Sequence, residues 1–89
     1  MAWFVYILRC ADDSLYTGIT TDKVRRLSEH NKGTAAKYTR VRTPVSMIYS
    51  EDAQDRSSAT KRDMAIKKLS RAKKLELITT SISSQQCDG

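Results

Sequence analysis

Arg26 and His30 stand four residues apart in a charged stretch, residues 22–33, that reads as a helix from Asp22 to Gly33. On a helix that spacing brings two Cβ atoms to about 5–6 Å on one face. A guanidinium there can hold a phosphate through paired hydrogen bonds and offset charge that builds in a transition state. An imidazole can move a proton near neutral pH. The plainer reading of the same pair is a solvated helix face. Tyr6 and Tyr16 lie upstream, each inside an apolar run. With a pKa of about 10, only about one phenol in a thousand is ionised at pH 7, so a tyrosine base needs a cation beside it, Arg26 or a metal. Otherwise each tyrosine is an amphipathic core residue. Asp63 is the acid that falls on an inward-facing helix stripe, between Ala59 and Ile66. A buried carboxylate is costly unless it is paired. It therefore meets a lysine or arginine, or it holds magnesium, which prefers oxygen and needs only one or two protein carboxylates.

The elements that must position these groups follow from the pattern. Residues 3–10 alternate Trp3, Val5 and Ile7 with Phe4, Tyr6 and Leu8, apolar on both faces, which predicts an inner strand. Residues 11–14 form a polar turn, and residues 15–20 a second strand, whose interior Gly18 marks close approach by another group. An odd-length turn or a bulge would put Tyr6 and Tyr16 on one face, and that arrangement is expected. In the helix that follows, Asp22 is the N-cap and Gly33 the stop, with Val24, Leu27 and Asn31 on one stripe and Lys23, Arg26 and His30 on its neighbour. A basic loop, residues 32–44, leads to a third strand through Val45, Met47, Ile48 and Tyr49. Asp55 caps a second helix over about residues 56–69, with Leu69 on its inward stripe, and Ser70 caps a third through Ala72, Leu75 and Ile78. The reading is a single α+β domain, residues 1–79, in β-β-α-β-α-α order, with a small antiparallel sheet and a polar, disordered tail at 80–89.

With 89 residues there is room for one domain, and an active site would be a surface cleft. Sixteen Lys and Arg against ten Asp and Glu give +6, a balance that favours a polyanion. Lys23, Lys37, Tyr38, Arg40, Arg42 and Lys67 are the candidate nucleic-acid contacts, with Tyr38 available to stack on a base. The longest apolar run, Trp3 to Leu8, is far short of the roughly 20 residues needed to span a bilayer. Cys10 and Cys87 fit neither a zinc spacing nor a disulfide framework, and a reduced, cytoplasmic protein is expected.

Taken together, these residues resemble the GIY-YIG nuclease superfamily. Val5-Tyr6-Ile7 stands at the first tripeptide and Tyr16-Thr17-Gly18 at the second, with Arg26 and His30 at the helix positions. The likeness is greatest to small single-domain bacterial members of the YhbQ-like kind, and it covers about residues 2–78. The resemblance implies the GIY-YIG fold and phosphodiester hydrolysis in DNA or RNA, DNA ahead of RNA, with one Mg2+ or Mn2+ ion. It implies Tyr6 or Tyr16 as the base, Arg26 as the electrostatic clamp, His30 as a relay and Asp63 as the metal ligand. Two departures stand out: Asp63 replaces a glutamate, and Leu75 lies about where some family nucleases carry an asparagine. Substrate choice in this superfamily comes from appended domains, so a partner protein is a candidate source of specificity. The alternative is a non-catalytic nucleic-acid-binding module on the same fold.

Overall fold

The computed structural model describes the backbone of residues 2–88 and the side chains of residues 2–79. The elements are β1 (Trp3–Arg9), β2 (Leu15–Thr20), α1 (Lys23–Asn31), α2 (Lys37–Arg40), β3 (Ser46–Ala53), α3 (Arg56–Lys67) and α4 (Arg71–Asp88). One sheet in the order β2-β1-β3, antiparallel throughout, places β1 at the centre. An inner strand is what its two apolar faces require. Val5 and Ile7 look onto Ala59, Ile66 and Ile78 from α3 and α4. Tyr6, Leu8 and Cys10 form a second core with Val45, Tyr16, Leu27 and Met47. The sheet is thus covered on both sides.

Five residues, 10–14, join β1 to β2. Tyr6 lies opposite Gly18, and Leu8 opposite Tyr16. Directly opposed residues share a face, so both tyrosines project from the same side. Asp12 shapes the turn by accepting from the Ser14 backbone N–H at 3.1 Å, and Asp13 takes a positive φ of 69°. At α1, the Asp22 carboxylate accepts from the Arg25 N–H at 3.1 Å and Gly33 takes φ +80° beyond the helix, so both expected caps are present. Asp55 caps α3 in the same way.

Four sequence expectations change. The basic loop contains an extra turn of helix, α2, giving four helices in β-β-α-α-β-α-α order. A four-residue helix without a capping side-chain hydrogen bond carries no periodic signal. In α1, Val24 is 82% exposed while His30 is fully buried, so the inward stripe is the one through Leu27 and His30. Leu69 and Leu75 are exposed; α4 meets the core through Leu77 and Ile78, and at 100° per residue Leu75 lies about 110° around from that direction. Finally, the segment expected as a tail from residue 80 continues as α4 helix to Asp88.

Gly18 shows why the second strand carries no side chain there. A Cβ would come within 2.5 Å of the Tyr6 phenolic oxygen and 2.7 Å of Cζ. Tyr6 is fully buried and cannot swing aside. Gly18→Ala is expected to lower stability by about 1–3 kcal/mol through overpacking, read from the midpoint of urea unfolding. An unchanged midpoint would contradict this packing.

Candidate active site

The tyrosine face of the β1–β2 hairpin is closed by α1 and α2. His30 reaches down from α1, and its Nε2 lies 2.8 Å from the Tyr6 Oη. The other ring nitrogen, Nδ1, lies 2.8 Å from the hydroxyl of Thr39 on α2. All three residues are fully buried. Tyr16 meets the edge of the His30 ring at a centroid distance of 5.2 Å and stacks on Tyr38 at 5.9 Å, 26° from parallel. The Arg42 guanidinium lies over the Tyr38 ring at 4.1 Å. One continuous column therefore runs from the buried Tyr6 to the surface.

Burial holds the His30 imidazole below its usual pKa, and the charge of Arg26 pushes in the same direction, so the ring is neutral at pH 7. Burial raises the Tyr6 phenol; the neighbouring Arg26 guanidinium pulls it down without cancelling the rise, and the Tyr16 and Asp63 charges add to it. Tyr6 is therefore a protonated phenol that touches a neutral imidazole. The pair cannot supply a standing phenolate, but it can pass a proton along. Arg26 donates to Glu29 at 3.2 Å through Nη1, while its Nε is buried with no hydrogen-bond partner. The guanidinium lies against Tyr6 and lines a cleft shared with Trp3, Ile19 and Thr20. It has charge and hydrogen-bonding capacity left for an anion.

Asp63 takes the first of its two sequence readings, an ion pair with a lysine. Its Oδ2 is 3.1 Å from Lys67 Nζ, the expected ion pair, yet Oδ1 is buried and has no hydrogen-bond partner. Among the described residues no group of three or more His, Cys, Asp or Glu could hold an ion. The donor set fits an ion that keeps most of its waters and takes a single carboxylate oxygen, which magnesium accepts.

The structure therefore brings Tyr6, Tyr16, Arg26 and His30 together, with Asp63 near enough for its charge to act on Tyr6. The proposed contact residues divide. Lys37 and Arg40 sit on α2 and make no ion pair among the described residues. Lys23 lies over the Phe4 ring at 4.6 Å and reaches Ser50. Arg42 pairs with Asp12 at 3.0 Å, Lys67 is held by Asp63, and the Tyr38 ring contacts Tyr16 and Arg42. Tyr38 nevertheless keeps 39% of its surface exposed. Two functional neighbours were missed from sequence. Glu29 was legible as a partner three residues after Arg26, whereas Thr39, nine residues beyond His30, carried no signal.

The GIY-YIG catalytic domain profile matches residues 2–76. A UPF0213 protein of Desulfotalea psychrophila is 54% identical over 81 residues, 90% of this chain and 74% of that one. One from Natronomonas pharaonis is 52% identical over 75 residues, 84% of this chain and 88% of that one. Among solved structures, the solution NMR structure of a UPF0213 protein from Bacillus halodurans superposes with a TM-score of 0.59 at 41% identity, covering 90% of this chain and 85% of that one. An E. faecalis protein, also solved by NMR, gives 0.61 at 46% identity over 92% and 88% of the two chains.

His30 is the single histidine of the chain, which makes its burial measurable. Because its folded pKa lies below the unfolded value near 6.5, the unfolded state binds the extra proton first, and stability falls as pH drops below about 6.5. The slope can reach about 1.4 kcal/mol per pH unit. Asp12, Glu29 and Asp55 are held below the usual carboxylate range and lose their contributions at lower pH, outside this window. Urea unfolding between pH 7 and 5 should show the decline, and His30→Gln should flatten it. A wild-type profile that is already flat would contradict a buried neutral imidazole.

Proposed function

The chain belongs to the GIY-YIG catalytic domain family, and from that premise we propose that it is a metal-dependent endonuclease that hydrolyses phosphodiester bonds in nucleic acid, DNA ahead of RNA. The observation that carries this reading is the buried Tyr6–His30 hydrogen bond with the Arg26 guanidinium beside it.

The scissile phosphate is received by Arg26, whose guanidinium offsets the charge of the pentavalent transition state. Tyr6 is fully buried. Its oxygen meets the attacking water only when the guanidinium moves outward onto the bound phosphate. The water then gives a proton to Tyr6 Oη while the phenolic proton passes to His30 Nε2. The water oxygen bonds to phosphorus, the bond to the leaving oxygen breaks, and that oxygen takes a proton from solvent. His30 ends as an imidazolium and releases that proton to solvent, back through Tyr6, before the next cycle begins. This relay needs no standing phenolate, and it assigns the base role to the Tyr6–His30 pair. Tyr16, which has no hydrogen bond to the imidazole, braces the ring by its edge. Asp63 would hold a magnesium or manganese ion, which when bound supplies charge neutralisation at the phosphate and leaving oxygens.

The basic surface, with Lys37 and Arg40 exposed on α2, supports a polyanionic substrate. A partner protein is proposed as the source of specificity, since one small domain offers little surface for discrimination. No helix among the described residues is long and apolar enough to cross a membrane; the cytoplasm is proposed as the compartment, in keeping with the buried free thiol of Cys10. A second reading, a binding module without catalysis, draws on the Lys67–Asp63 pair, which competes with a metal for the carboxylate.

Nicking of supercoiled plasmid, and cleavage of single-stranded DNA and RNA, with Mg2+, Mn2+ or EDTA separate the two. Metal-dependent cleavage is expected, lost with EDTA and reduced about 10²–10³-fold by Arg26→Ala. Tyr6→Phe and Asp63→Ala should also reduce it, with binding retained. Asp63→Glu should raise the rate at limiting metal if the shorter carboxylate weakens the site. Binding without cleavage by wild type under every metal and substrate would leave the module.

A further inference from the structure

The two contacts of the His30 ring can be assigned by counting protons. The Thr39 hydroxyl lies 3.3 Å from the carbonyl oxygen of Ala36, which can only accept. A hydroxyl has one proton. With that proton on Ala36, whose oxygen also accepts the Arg40 N–H at 3.1 Å, Thr39 meets Nδ1 at 2.8 Å as an acceptor and Nδ1 carries the ring proton; the Tyr6 end of the ring selects this arrangement over a Thr39 proton donated to Nδ1. A neutral imidazole has no second one, and Nε2 is left to accept from Tyr6. The opposite assignment fails at the other end. An Nε2–H would donate to Tyr6, and among the described residues the buried phenolic proton would then have no acceptor, because Arg26 has only donors and neither Tyr16 nor Asp63, whose charges reach Tyr6, is hydrogen-bonded to it. An unsatisfied buried donor is costly.

We propose that Thr39 is a positioning residue that locks His30 in its Nδ1–H tautomer and so turns Nε2 toward Tyr6 as a proton acceptor. The tautomer assignment stands on hydrogen-bond geometry and on the burial that keeps the ring neutral; its catalytic consequence rests on the nuclease reading. In the hydrolytic step, one proton moves from water to Tyr6 Oη and one from Tyr6 to Nε2. The new O–P bond replaces the bond to the leaving oxygen, and the imidazolium keeps Nδ1–H on the Thr39 oxygen throughout. With the other tautomer Nε2 is already protonated and the relay has no end. The short helix α2 is then more than a connection, since Tyr38 supports Tyr16 while its neighbour Thr39 sets the imidazole.

The test uses the single histidine of the chain. In protein labelled with 15N-histidine at pH 7.5, long-range 1H–15N correlation distinguishes a protonated ring nitrogen from a bare one. Wild type should show protonated Nδ1 and bare Nε2, Thr39→Val should lose that preference, and Thr39→Ser should restore it. In nicking assays Thr39→Val should lower kcat about 10–100-fold, the range for an orienting partner of a functional side chain, with DNA binding unchanged and Thr39→Ser recovering activity. An Nε2–H tautomer in wild type overturns the proposal even if Thr39→Val fails to fold. So does a wild-type tautomer in folded Thr39→Val. If the tautomer responds as stated but wild type cleaves nothing, the positioning role holds and the nuclease reading falls.

Discussion

A phenol and an imidazole taken out of water together must satisfy each other, and the Tyr6–His30 hydrogen bond is the constraint on which the remaining geometry depends. Leaving either group unsatisfied would cost about 1–3 kcal/mol. The bond ties the central strand to α1, and the Thr39 hydroxyl on the far side of the ring ties α1 to α2. Gly18 belongs to the same constraint, because the Tyr6 ring crosses the second strand where a side chain would otherwise stand. Residues spread over more than thirty positions are held by one ring in one orientation.

Charge is arranged around that neutral pair. Arg26 is shared between Glu29 and the Tyr6 oxygen with its Nε still unpartnered, and Asp63 has used one oxygen and kept the other. Each group is partly committed, which holds it in place while leaving capacity for a ligand. The count of sixteen Lys and Arg overstates what faces outward as free cation, since Arg42, Arg62, Lys67 and Arg71 each have an acidic partner. Exposed pairs of this kind contribute little to stability. Their more direct effect is to narrow the surface open to a polyanion to residues such as Lys37 and Arg40.

Much of the framework was legible because it is written in local rules. Period-two alternation on both faces marked β1 as central, and the caps at Asp22, Asp55 and Ser70 bounded three helices. Gly18 announced a close approach, and Asp63 an inward-facing acid. What escaped has a common cause. The turn α2 is too short to show a period, and the choice between the Val24 and His30 stripes of α1 is a choice of burial that helical spacing leaves open. Arg42 looked unpaired, and the Tyr16–Tyr38 stack went unseen, because sequence cannot show that Asp12 and Tyr16 lie within contact distance of those residues across the fold.

Residue type and spacing alone therefore determined the strand and helix framework, the expectation that the two tyrosines share a face, and which groups have the chemistry to act on a phosphodiester. Tertiary structure decided which phenol bonds to the imidazole, how far Asp63 is spent on Lys67, and that Thr39 stands behind the ring. The division has a physical reason. Propensity, capping and alternation act over a few residues of chain, whereas proton acceptance, pKa and ion pairing depend on distances of a few ångströms between segments that only folding brings together.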